Sequence, residues 1–155
     1  MLTSIDFYKA GHREQYPLGT QVVMHNLTPR SNKIMLQSYP DHDGKVVVLL
    51  QHVFKQLIEK WDNEFFNQPL EKVMKKYKRR IDCSLGTITF DHIKALHELG
   101  SLPIQVIGLP DGTLADVGTP IYVLWNYVDE AEFFWVPNYL ETQISAMSWK
   151  GSYSG

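Results

Sequence analysis

Apolar positions recur along this chain at two spacings, and the switch between them marks its elements. From Leu50 to Phe65, the residues Leu50, Val53, Phe54, Leu57, Ile58, Trp61 and Phe65 fall at helical spacing and predict one amphipathic helix. "NQP" (67–69) stops it and starts a second helix, since proline is tolerated in a first turn. In that second helix Leu70, Val73, Met74, Tyr77 and Ile81 share a side. "FDHIKALHELG" (90–100) predicts a third, ended by Gly100 with Pro103 just beyond. "FFWVPNYLETQISAMSW" (133–149) predicts a fourth, starting near Pro137. A short helix over residues 4–10 opens the chain, with Thr3 or Ser4 as its cap and Gly11 as its end.

Elsewhere the period drops to two. "QVVMHNL" (21–27) places Val23, His25 and Leu27 on one face and Val22, Met24 and Asn26 on the other, which predicts a strand. The turn "YPLGT" (16–20) precedes it, and the loop "TPRSNK" (28–33) follows. After a second loop, "SYPDHDG" (38–44), the run "KVVVLL" (45–50) begins as a β-branched strand. Residues 102–126 hold short strand-like runs separated by turns at Pro110-Asp111-Gly112 and Gly118-Thr119-Pro120. The fold class expected is α+β: a small mixed or antiparallel sheet, or half-barrel, with three to four packing helices. One domain is expected over 1–155, and because no stop signal follows the last helix the chain is expected to be a piece of a longer protein.

Composition narrows the classes. A net charge of -2 gives no global attraction to nucleic acid or to an anionic membrane. The single cysteine, Cys83, excludes an intramolecular disulfide and a Cys-rich metal site, which fits a cytoplasmic protein. No apolar run approaches the ~20 residues of a membrane helix, and the start MLTSIDFYK lacks the pattern of a signal peptide. Neither nucleic acid nor membrane is an expected partner.

Candidate chemistry is sparse. The six histidines show no i, i+4 pair with a partner glutamate, so no metal site is expected. The basic run "KVMKKYKRR" (72–80) reads as the solvated face of a helix whose other side carries Val73, Met74 and Tyr77. "LPDGTLADVGTP" is similar to the turn of a lipoyl or biotin carrier. Such a carrier needs a tip lysine, and none lies between residues 95 and 149. No nucleophile–base pair or glycine-rich phosphate loop is apparent, so no catalytic residue is assigned. The stretch from Asp6 to His12 stands out because a carboxylate, two aromatic rings, an amine and an imidazole crowd into a chain start, where such chemistry is unusual.

Five stretches in one order lift that reading: "DFYKAGHREQYP", "NLTPRS", "KRRID", "DHIKALHELGSLPIQVIGLPDGT" and "FFWVPNYLET". Together they resemble the amino-terminal part of the nicotinamide phosphoribosyltransferases, from about Thr3 to Trp149. The resemblance implies a pentosyltransferase of NAD salvage. Nicotinamide attacks the anomeric carbon of phosphoribosyl pyrophosphate, pyrophosphate leaves, and nicotinamide mononucleotide forms. It further implies a homodimer with sites shared between subunits, Mg²⁺ and ATP as cofactors of the complete enzyme, and a catalytic α/β barrel lying outside this segment. The isolated chain is then expected to be inactive. By the same resemblance Tyr8 lays its ring on nicotinamide, Asp6 accepts from the amide, and Arg30 meets phosphate. Lys9 and His12 have supporting roles. The alternatives are a nicotinate-using relative and a stand-alone binding or assembly module.

Overall fold

A computed structural model describes residues 2–31, 45–81 and 89–153. Four α-helices and five strands lie among them in an α+β arrangement. A leading 3-10 helix, Phe7–Gln15, precedes strand β1 (Met24–Leu27) and strand β2 (Lys45–Val47). Helix α1 (Gln51–Trp61) runs into a wider turn, Asp62–Phe66, and then α2 (Leu70–Ile81) and α3 (Asp91–Leu99) follow. Strands β3 (Ile104–Gly108), β4 (Leu114–Asp116) and β5 (Tyr122–Asn126) lead through a 3-10 turn into α4 (Val136–Tyr153).

The strands form two separate antiparallel units rather than a half-barrel. One is a three-stranded sheet in the order β1-β5-β3, and the other is a ribbon of β2 with β4. In the sheet His25 sits opposite Leu124 and Leu27 opposite Tyr122. These residues face the helices, as the alternation predicts. The strand is shorter than the predicted 21–27 for a clear reason. Buried Asn126 takes over the backbone there, accepting from the Val23 N–H at 3.0 Å and donating to the Gln21 carbonyl at 2.9 Å.

The helices bury the expected faces. Val53, Phe54, Leu57 and Trp61 of α1 and Val73, Met74, Tyr77 and Ile81 of α2 meet Tyr139, Leu140 and Ile144 of α4 in one core. Ile58 departs from prediction: it is 47% exposed, one position beyond the buried stripe. The basic residues of α2 lie on its exposed side, as the patterning predicts. Gly100 ends α3 with φ 79, a left-handed conformation that suits glycine best.

The leading helix also differs. It begins after Asp6 and passes through Gly11, and neither Thr3 nor Ser4 caps it. What holds it is packing on α4, so a local stop signal does not decide its length.

Helix α1 has no cap of its own at Leu50. Asp111, from the β3–β4 turn, supplies one: its carboxylate accepts from the Leu50 N–H at 2.6 Å and the Gln51 N–H at 3.2 Å. These are N–H groups a helix start leaves unpaired. Asp111→Ala is expected to lower stability by about 1 kcal/mol, with Asp111→Asn losing less. Denaturation midpoints check this, and an unchanged midpoint for the alanine variant would rule out the cap.

Candidate functional site

The site grows from one face of α4. Asn138, Glu141 and Thr142 stand at i, i+3 and i+4, so they line one side of the helix. The leading 3-10 helix lies along that side. At its start the Asp6 N–H donates to the Thr142 hydroxyl oxygen at 3.4 Å. The same hydroxyl donates to Asp6 Oδ2 at 2.9 Å.

Lys9 is the deepest anchor, with 3% exposure. Its ammonium donates to the Asn138 carbonyl at 3.0 Å, to Asn138 Oδ1 at 2.9 Å and to the Glu141 carboxylate. An ammonium has three donors, and all three are used here. Lys9 therefore fastens the motif to α4 and has no donor left for a ligand.

Tyr8 is 55% exposed, with the Lys9 ammonium 5.8 Å from its ring centre. Its ring centre lies 4.8 Å from that of His12, at 57°. Partial burial and the Asp6 and Glu141 carboxylates push its phenol above the ordinary value, which keeps it a neutral O–H. Behind the pair, Asn138 Nδ2 donates to His12 Nδ1 at 2.9 Å and to the Tyr16 hydroxyl at 2.8 Å. Tyr16 sets its ring edge-on to Phe134 at 5.4 Å. A cleft of about 210 Å³ lies among His12, Gln15, Tyr16 and Asn138.

Arg30 is not part of this cluster. It is exposed in the loop after β1 and makes no hydrogen bond or ion pair among the described residues. That loop is pinned elsewhere: the Gly118 N–H donates to the Pro29 carbonyl at 2.9 Å. The link from β1 to the cluster is electrostatic. Burial pushes the His25 imidazole below its ordinary value, opposed by Glu141 and reinforced by Lys9.

So the structure brings Asp6, Tyr8, Lys9 and His12 together and leaves Arg30 apart. The group offers an exposed ring face, a carboxylate and an imidazole, a set suited to binding a flat polar heterocycle. The sequence reading missed Asn138, Glu141, Thr142 and Tyr16. The signal for Asn138, Glu141 and Thr142 was their i, i+3, i+4 spacing inside "NYLET"; Tyr16 carried none. The remaining described histidines have ordinary partners: His97 meets the Gln68 carbonyl, His52 meets Gln56, and His92 packs on Trp135. Among the described residues no group of three or more His, Cys, Asp or Glu could hold a metal ion. None of their helices is long and apolar enough to cross a membrane. His42 and Cys83 lie outside the described residues.

No family model matches the chain. Over a 155-residue alignment it is 46% identical to a nicotinamide phosphoribosyltransferase of Acinetobacter baylyi, with 97% of the chain covered. The chain spans 30% of that relative's length.

Proposed function

We propose that this chain is the amino-terminal part of a nicotinamide phosphoribosyltransferase and contributes the base-binding edge of its active site. The observation that carries this is the 46% identity along 97% of the chain. The geometry of the leading segment supports it. Tyr8 offers a ring face to a pyridine ring, and a flat heteroaromatic ligand gains from stacking there. The Asp6 carboxylate, held by the Thr142 hydroxyl at Oδ2, lies beside the Tyr8 phenol and is an acceptor suited to a ligand N–H, the donor an amide carries and a carboxylate lacks. Arg30, exposed beyond β1, suits a phosphate through its paired N–H groups.

In this reading the pyridine nitrogen of nicotinamide displaces pyrophosphate from the anomeric carbon of phosphoribosyl pyrophosphate. The residues here bind and orient the base. The complete enzyme works as a cytoplasmic homodimer, so that the motif of one copy completes a site shared with another. Mg²⁺ would supply charge stabilisation for the leaving pyrophosphate, and ATP is the other cofactor of the complete enzyme. The 155-residue chain alone is expected to make no product.

The test is product formation by the full-length protein, with nicotinamide mononucleotide followed by mass spectrometry. Product from nicotinamide and none from nicotinate is expected. Tyr8→Ala is expected to raise the KM for nicotinamide roughly fivefold or more, since base–aromatic stacking contributes about 1–3 kcal/mol. Tyr8→Phe keeps the ring and most of the binding. An alanine variant with unchanged KM would remove Tyr8 from the site.

A further inference from the structure

Asn138 stands between a cation and an imidazole, and that placement dictates more than packing. An ammonium donates and cannot accept, so the Asn138 atom 2.9 Å from Lys9 must be the amide oxygen. The amide nitrogen is thereby turned toward His12 and Tyr16, with one N–H for each. A ring nitrogen that accepts a hydrogen bond carries no proton. His12 Nδ1 is therefore the lone-pair nitrogen, and the neutral ring bears its proton on Nε2. That Nε2 has no hydrogen-bond partner among the described residues.

We propose that Lys9, acting through Asn138, fixes His12 as the Nε2–H tautomer and so makes it a hydrogen-bond donor to an oxygen of the ligand that lies on Tyr8. This rests on the ligand-binding reading above. The group recognised is an oxygen acceptor, either a carbonyl on the ring or a phosphoryl oxygen of the second substrate. Lys9 and Asn138 are positioning residues: one sets the amide orientation and the other passes it to the ring. Both ends of the Asn138 amide are occupied, so a flip would face two N–H donors toward an ammonium.

The experiment uses the full-length protein labelled with ¹⁵N at histidine, with the His12 signals assigned by His12→Gln. The expected spectrum shows a lone-pair Nδ1 and a protonated Nε2. Asn138→Asp still accepts from Lys9 but offers His12 no donor, so it is expected to draw a proton onto Nδ1. The same variant is expected to raise one substrate KM about five- to tenfold, with kcat within about twofold. A rise for nicotinamide identifies the carbonyl, and a rise for phosphoribosyl pyrophosphate identifies the phosphoryl oxygen. If Asn138→Asp fails to fold, Lys9→Met, which frees the amide to turn, is expected to give a mixture of tautomers. An Nδ1–H signal in the unmutated protein overturns the proposal, and so do unchanged KM values with the proton moved. A full-length protein that makes no nicotinamide mononucleotide would instead overturn the proposed function, and the ring spectrum would still decide the relay.

Discussion

Trp61→Ala is expected to cost about 5 kcal/mol, close to the whole stability of many domains. Trp61 ends α1 and is fully buried. Its ring meets Phe65 edge-on at 5.1 Å and Tyr139 of α4 at 6.4 Å. Truncating a buried tryptophan loses transfer free energy and leaves a cavity, together about 3–5 kcal/mol. A second loss adds to this. The indole N–H donates to Gln143 Oε1 at 2.9 Å, and Gln143 is itself buried. Taking away one partner of a buried hydrogen bond costs about 1–3 kcal/mol. Trp61→Phe separates the two losses, since it keeps most of the ring and loses the N–H. Chemical denaturation monitored by circular dichroism is the measurement. A midpoint for Trp61→Ala within 1 kcal/mol of wild type would mean that α1 and α4 do not share this core. The effect reaches the candidate site as well, because α4 carries Asn138, Glu141 and Thr142 and takes its position from packing on α1.

Local pattern carried much of this fold. The stripes of α1, α2 and α3 are visible because a helix repeats its buried face every 3.6 residues, and the stop at Gly100 followed by Pro103 is local chemistry. What escaped is contact between distant parts of the chain. Asp111 caps a helix 60 residues before it in sequence. Asn126 ends a strand from 103 residues away. Ile58 fits the apolar stripe as well as Leu57, yet tertiary packing decides which is covered: Leu57 is fully buried and Ile58 stays about half exposed. Part of the candidate site was legible: Asp6, Tyr8, Lys9 and His12 sit within seven residues, and the structure brings them together. Their supports were not, since Lys9 and Asn138 lie 129 positions apart. Periodicity shows which face of α4 carries Asn138, Glu141 and Thr142. It does not show that the opposite end of the chain lies there.

His92 is expected to make the fold acid-sensitive well above the pH at which carboxylates titrate. The side chain lies on α3, 7% exposed, with its ring edge-on to Trp135 at 4.9 Å. Among the described residues its Nδ1 has no hydrogen-bond partner, and neither has Trp135 Nε1. Burial, with the Arg13 guanidinium of the leading helix, pushes the imidazole down to about 4, while Asp91 on the same helix opposes this. The sign follows from linkage. In the unfolded chain His92 takes up a proton near pH 6.5, and in the folded protein it stays neutral until about pH 4. Above pH 6.5 both states hold it neutral and no penalty exists. As pH falls from 6.5 toward 4 the unfolded state alone is stabilised by protonation, and folding loses up to roughly 3 kcal/mol. His92→Leu removes the titration while keeping an apolar contact with Trp135. Denaturation midpoints of both proteins at pH 7 and pH 4.5 make the comparison, so that carboxylates common to both cancel. The wild type is expected to lose more stability than the variant over that interval. Equal losses would mean that His92 titrates as an exposed histidine does, and that the seam between α3 and Trp135 admits water. Because Arg13 adjoins His12 in the chain, loosening that seam in acid would also loosen the leading helix on which Tyr8 and His12 stand.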